Sequence, residues 1–170
     1  MLIPLLIHLG ATGAGHAAAP RAPCDGAPYR RLDFWVGEWT VTAGGQPAGT
    51  NRIVKILGGC AIEEHWVAAD GRPGRSLFYY VPGADEWRQV WVTANPAAPG
   101  GVKEKREIAR GAETVFQGEV TLADGRRYLD RTILAARPDG TVGQRIEIST
   151  DGGASWRVTF DGVYTRAPPG

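Results

Sequence analysis

Several things are scarce in this sequence, and each shortage narrows what the chain can be. Its 170 residues hold only two cysteines, Cys24 and Cys60, and three histidines, two of which (His8 and His16) fall in the first 20 positions. Beyond those positions His65 is the single imidazole, so a zinc site built from histidine and cysteine is excluded. Charge of one sign is scarce too. The 19 basic and 18 acidic side chains leave a net charge of +1, which argues against a nucleic-acid partner, because phosphate-backbone binding needs a concentrated basic face. Neither a Gly-rich phosphate loop nor a Gly-x-Ser-x-Gly elbow is present. What the chain does have is length enough for one domain with its own core, 24 glycines, and six tryptophans at or beyond Trp35.

No side chain before Arg21 is charged. Residues 2–9 form an apolar stretch, followed by the small residues Ala11, Thr12, Gly13, Ala14 and Gly15 and then His16-Ala17-Ala18-Ala19. This pattern predicts a signal peptide over 1–19, cleaved near 17–19, and hence a periplasmic or secreted protein. The apolar stretch is too short for stable membrane insertion. Cys24 follows Arg21-Ala22-Pro23 and lacks the approach of a lipoprotein box. In an oxidising compartment Cys24 and Cys60 are expected to form a disulfide. The predicted organisation is thus 1–19 signal peptide, 20–36 N-terminal segment with a short helix, and 37–167 β-barrel domain.

Turn signals divide the chain from Trp39 onward. Asp70-Gly71, Asp124-Gly125, Asp139-Gly140 and Asp151-Gly152-Gly153 supply the backbone conformations of tight hairpins, and looser turns contain Pro82-Gly83-Ala84-Asp85 and Pro96-Ala97-Ala98-Pro99-Gly100-Gly101. Between them lie about ten strands: 38–44, 49–57, 60–68, 74–81, 86–94, 102–109, 113–122, 126–135, 141–149 and 155–166. Only 28–36 reads as helical. Apolar and polar residues alternate near 113–122, where Phe116, Val120 and Leu122 share a face with Gly118. Near 155–166, Trp156, Val158, Phe160 and Tyr164 share one. Short connections between half-buried strands favour an all-β, antiparallel up-and-down barrel over a sandwich, which needs long crossovers.

Several strands place one polar group on an otherwise apolar face: Ile62-Glu64-Trp66, Trp87-Gln89-Trp91, Leu129-Arg131-Ile133 and Val142-Gln144-Ile146. A ligand cavity has this composition. The candidate ligand-binding residues are Glu64, Trp66, Phe78, Tyr80, Trp87, Gln89, Trp91, Arg131, Gln144 and Tyr164. The same polar groups could instead satisfy one another, Glu64 pairing with Arg131 and Gln89 with Gln144, and the tryptophans could be core. Val90 and Val92 offer the strand of Trp87 and Trp91 an alternative inward face. The run Lys103-Glu104-Lys105-Arg106-Glu107 reads as a solvated strand face or edge guard.

The segments Asp33-Phe34-Trp35-Val36-Gly37-Glu38-Trp39-Thr40-Val41, Leu57-Gly58-Gly59-Cys60-Ala61-Ile62-Glu63-Glu64-His65-Trp66, Trp87-Arg88-Gln89-Val90-Trp91-Val92 and Ser149-Thr150-Asp151-Gly152-Gly153-Ala154-Ser155-Trp156, with Phe160-Asp161-Gly162-Val163-Tyr164 near the end, resemble exported bacterial proteins of the DUF1579 type. The resemblance implies a calycin-like or lipocalin-like barrel and brings no established reaction. A more distant likeness is to nitrobindin-like haem barrels, through Gly37-Glu38-Trp39-Thr40-Val41. Their late-strand histidine ligand has no counterpart, since none lies beyond His65, and no cofactor is expected. The leading expectation is a barrel that binds a lipophilic small molecule. The alternatives are a barrel enzyme with Glu64 as general base assisted by Arg131 or Tyr164, and an interaction domain with a filled core. Nothing in the pattern sets an oligomeric state.

Overall fold

A computed structural model of the protein describes residues 24–168, so the expected signal segment lies outside the described residues. Ten strands form the body: β1 Gly37–Ala43, β2 Gln46–Ile56, β3 Ala61–Ala68, β4 Pro73–Val81, β5 Glu86–Thr93, β6 Val102–Ala109, β7 Thr114–Thr121, β8 Arg127–Ala136, β9 Val142–Ser149 and β10 Arg157–Arg166. Each pairs antiparallel with the next, and β10 pairs with β1, closing the barrel. Closure leaves no sheet edge for another chain to extend.

The turns follow the local chemistry of their sequences. At three of them an aspartate accepts from the backbone N–H two residues on: Asp70 from Arg72, Asp124 from Arg126 and Asp139 from Thr141. The β7–β8 loop closes with Leu122 N–H donating to Arg126 O at 2.8 Å, with Gly125 at φ 82° supplying the left-handed step. Beside the prolines the barrel stays shut, because Thr93 N–H donates to Gly101 O at 2.8 Å.

The expected helix over 28–36 forms as two short 3-10 turns, Ala27–Arg30 and Asp33–Trp35. This segment stoppers one end of the barrel. Leu32 and Trp35 are fully buried, and the Trp35 ring meets Phe78 edge-on at 5.1 Å. Trp39 Nε1 donates to Trp35 O at 2.9 Å and Trp87 Nε1 to Pro28 O at 3.0 Å. Arg31 reaches Asp85 at 3.1 Å and Glu107 at 3.2 Å. The Cys24–Cys60 disulfide fastens the segment to the β2–β3 turn across a sequence separation of 36, a loop whose closure contributes about 3–4 kcal/mol in the chain-entropy picture. With Ile53, Ile62, Phe116, Leu134 and Val142, these rings fill the lower half as a dry core.

In two places the facing of side chains differs from what the sequence predicts. A register shift between Val158 and Phe160 turns Val158 outward, 48% exposed, and lets Thr159 reach the barrel mouth. The run from Lys103 to Glu107 is not a solvated face: Lys105 and Glu107 are buried, Lys103 is mostly so, and only Glu104 and Arg106 lie in solvent. Strand parity decides this. Lys103 pairs with Trp91 and Lys105 with Gln89, and directly opposed residues project to the same side of the sheet.

Candidate functional site

Above the dry core the inward positions become polar. Glu64 on β3 is 3% exposed, and both its oxygens are engaged: Asn51 Nδ2 donates to Oε1 at 2.7 Å and Ser76 Oγ to Oε2 at 2.6 Å. Gln89 Nε2 donates in turn to Ser76 Oγ at 3.1 Å. Across the lumen Lys105 Nζ donates to Thr132 Oγ1 at 2.6 Å and contacts Asp130, whose second oxygen meets Lys103 Nζ at 2.7 Å. Tyr164 donates to Gln144 Oε1 at 2.5 Å.

Burial sets the electrostatics. It pushes the Glu64 carboxyl above the usual carboxylate range, outweighing the hydrogen bonds from Ser76 and Asn51 and the charge of Lys105, all of which pull it down. It lowers the Lys105 ammonium to about 8 despite the opposing pull of Asp130. The phenol of Tyr164, buried beside Glu64, is pushed well up. Gln89 Oε1 is buried with no protein partner.

Over this layer sits an aromatic rim of Trp66, Trp91 and Phe160, with Trp66 and Phe160 edge-to-face at 6.2 Å. The two indoles lie on glycines of neighbouring strands. A Cβ on Gly74 would come within 2.3 Å of the Trp91 ring and one on Gly49 within 2.9 Å of Trp66, so bare backbone is what lets these rings lie back. Together the polar layer and the rim enclose a cavity of about 250 Å³, just below the ~300–1,000 Å³ common for ligand pockets. Its wall contains Glu64, Gln89, Lys105, Thr132, Gln144 and Tyr164, joined nearer the mouth by Lys103, Ile146 and Thr159.

The structure sorts the predicted site residues into four groups. Glu64, Trp66, Gln89, Trp91, Gln144 and Tyr164 converge on the cavity, and the strand of Trp87, Gln89 and Trp91 turns this face inward rather than that of Val90 and Val92. Phe78 and Trp87 point inward too, but belong to the dry core, fully buried. Tyr80 packs at the stoppered end, where its ring meets Tyr29 at 5.0 Å and its hydroxyl donates to Asp85 at 2.8 Å. Arg131 is misplaced in the sequence reading. It lies on the outer face, donating to Glu147 at 2.5 Å with its guanidinium 3.9 Å over the Trp156 ring, so it pairs with neither Glu64 nor a ligand in the lumen. Nor do Gln89 and Gln144 pair, since each has another partner.

Sequence reasoning missed Lys103, Lys105, Asp130 and Thr132. The signal for the last two was present in the β7–β8 turn. Closing Leu122 on Arg126 sets Gly118 opposite Asp130 and Phe116 opposite Thr132, so an inward Phe116 requires an inward Thr132 and an outward Arg131. His65 faces outward, its Nε2 3.2 Å from Glu63. Among the described residues no group of three or more His, Cys, Asp or Glu side chains is placed to hold a metal ion.

Neither the protein-family models nor the curated proteins compared with this chain match it.

Proposed function

We propose that this chain is an exported barrel of the DUF1579 type that binds a small hydrophobic or amphipathic molecule in its upper half. The observation that carries this reading is the cavity itself, an aromatic rim over a layer of fixed polar groups, in a barrel whose other half is filled by buried apolar side chains. A domain needing only stability would fill both halves. Export is supported by the Cys24–Cys60 disulfide, which suits an oxidising compartment. No helix among the described residues is long and apolar enough to cross a membrane.

The enzyme reading keeps Glu64, a carboxyl of raised proton affinity facing a cavity, but loses Arg131 to the outer surface. Both Glu64 oxygens already accept hydrogen bonds, and Tyr164 is tied to Gln144, so neither is poised over an open position. Binding is the better-supported function. The test is uptake of the neutral probe N-phenyl-1-naphthylamine, read by its fluorescence gain and by energy transfer from tryptophan, together with native mass spectrometry of protein from its own source. Saturable one-to-one uptake, diminished by Trp91→Ala, is expected. No uptake and the bare mass of the chain would refute the reading.

A further inference from the structure

We infer that the ligand of this cavity is an amphipathic anion, its acidic group held by Lys103 and Lys105 and its apolar body by Trp66, Trp91 and Phe160. The inference rests on the binding function proposed above and specifies the ligand's charge. It starts from an imbalance in the wall. Lys103 and Lys105 share a single carboxylate, Asp130, with Lys103 Nζ 2.7 Å from Oδ2 and Lys105 in contact with Oδ1. The side chains of Lys105 and Asp130 are each 2% exposed and that of Lys103 is 14% exposed, so all three charges are largely removed from water. Two ammonium groups against one carboxylate leave a surplus positive charge at the cavity wall.

The other acidic group facing the lumen pairs with neither lysine. Both oxygens of Glu64 are taken up by Asn51 and Ser76, so the two ammonium groups have Asp130 as their one ion-pair partner among the described residues. Glu107, on the same face of β6, is turned toward the stoppered end, where it accepts from Arg31 and from Trp87 N–H. A buried charge without a counter-charge is costly, and a ligand that brings the missing negative charge recovers that cost on binding. The geometry also sets the ligand's polarity. Lys103 and Lys105 stand on β6 directly across from Trp91 and Gln89 of β5, so the acidic end lies against the β5–β6 wall. The rim rings of Trp66 and Phe160 complete an apolar surface for the remainder.

Calorimetric titration of the intact mature protein with 2-naphthoate and with 2-naphthamide, which shares its shape but not its charge, tests this. The naphthoate should bind about tenfold or more tightly than the amide. Lys103→Met, which leaves Lys105 and Asp130 as a balanced pair, should abolish that preference, whereas Lys103→Arg should keep it. Circular dichroism melting of each variant reports whether the barrel survives, and Lys103→Arg provides the readout if Lys103→Met does not fold. Equal affinity for the two probes overturns the anion assignment and leaves the binding function standing. A preference for naphthoate that persists in folded Lys103→Met places the anion elsewhere and overturns it as well. If neither probe nor N-phenyl-1-naphthylamine binds, the binding function itself fails.

Discussion

The two ends of this barrel use the same side chain for opposite ends. At the stoppered end Trp35, Trp39 and Trp87 are fully buried, and the indole N–H groups of Trp39 and Trp87 are spent on backbone carbonyls of the N-terminal segment. At the open end Trp66 and Trp91 are only part-buried, lean on glycines, and present ring surface to an unfilled space. A tryptophan becomes core when other side chains cover its face and edge, and becomes wall when one side meets bare backbone and part of the ring stays uncovered. The sixth, Trp156, belongs to neither end; it lies outside the barrel under the Arg131 guanidinium.

The largest effect expected from this contrast is on stability. Trp35→Ala removes the ring that joins the N-terminal segment to Phe78 and Tyr164, and should cost about 3–5 kcal/mol in urea denaturation. Trp66→Ala removes a ring of the same size from the mouth, and should cost less than about 2 kcal/mol because less contact is lost. Similar losses for the two variants would break the distinction between a filled and a hollow half.

The fold was largely legible in the sequence, because its signals are local. Asp-Gly turns and short β-branched or aromatic runs place all ten strands within a few residues of where they lie, and closure follows from the lack of long connections. The site was legible only where one strand could be read alone, as with Glu64, Gln89 and Gln144. Arg131 went astray because facing is a property of pairs of strands. Placing both Arg131 and Gln144 inward is inconsistent with β8–β9 pairing, in which Gln144 opposes Leu134 and Arg131 opposes Glu147. Lys103 and Lys105 were hidden differently. Every residue of their run, Lys-Glu-Lys-Arg-Glu, is charged, so hydropathy carries no period there and only the partner strand says which charges are buried.

The polar layer between the two ends yields a smaller effect with a defined sign. The folded protein holds the Glu64 proton more tightly than the unfolded chain, whose value is near the ordinary 4.5. Below that pH both states are protonated and Glu64 contributes nothing to the pH dependence. As pH rises, the unfolded chain ionises first, so stability falls until the folded carboxyl also ionises, and is level above. Glu64→Gln should flatten this fall. Its urea midpoint should exceed that of the wild type at pH 7 and match it near pH 4. A lower midpoint at pH 7 would make Glu64 a stabilising partner of the layer and remove the contrast between a half kept for stability and a half kept for binding.

The smallest change in stability should accompany a distinct loss at the open end. Gly74 sits on β4 beneath Trp91, and a Cβ there would lie 2.3 Å from the indole, its nearest neighbours all being atoms of that one ring. In Gly74→Ala the ring must therefore lift from the strand, and the space open to it is the cavity. Because a side-chain terminus moves and the backbone need not, the urea midpoint should change by less than about 1 kcal/mol. Uptake of N-phenyl-1-naphthylamine should nevertheless weaken severalfold, since the displaced indole takes up room the probe needs. Loss of uptake with stability preserved would assign Gly74 to the shape of the pocket. Unaltered uptake would mean that the ring can swing outward, and that the mouth is wider than its resting position implies.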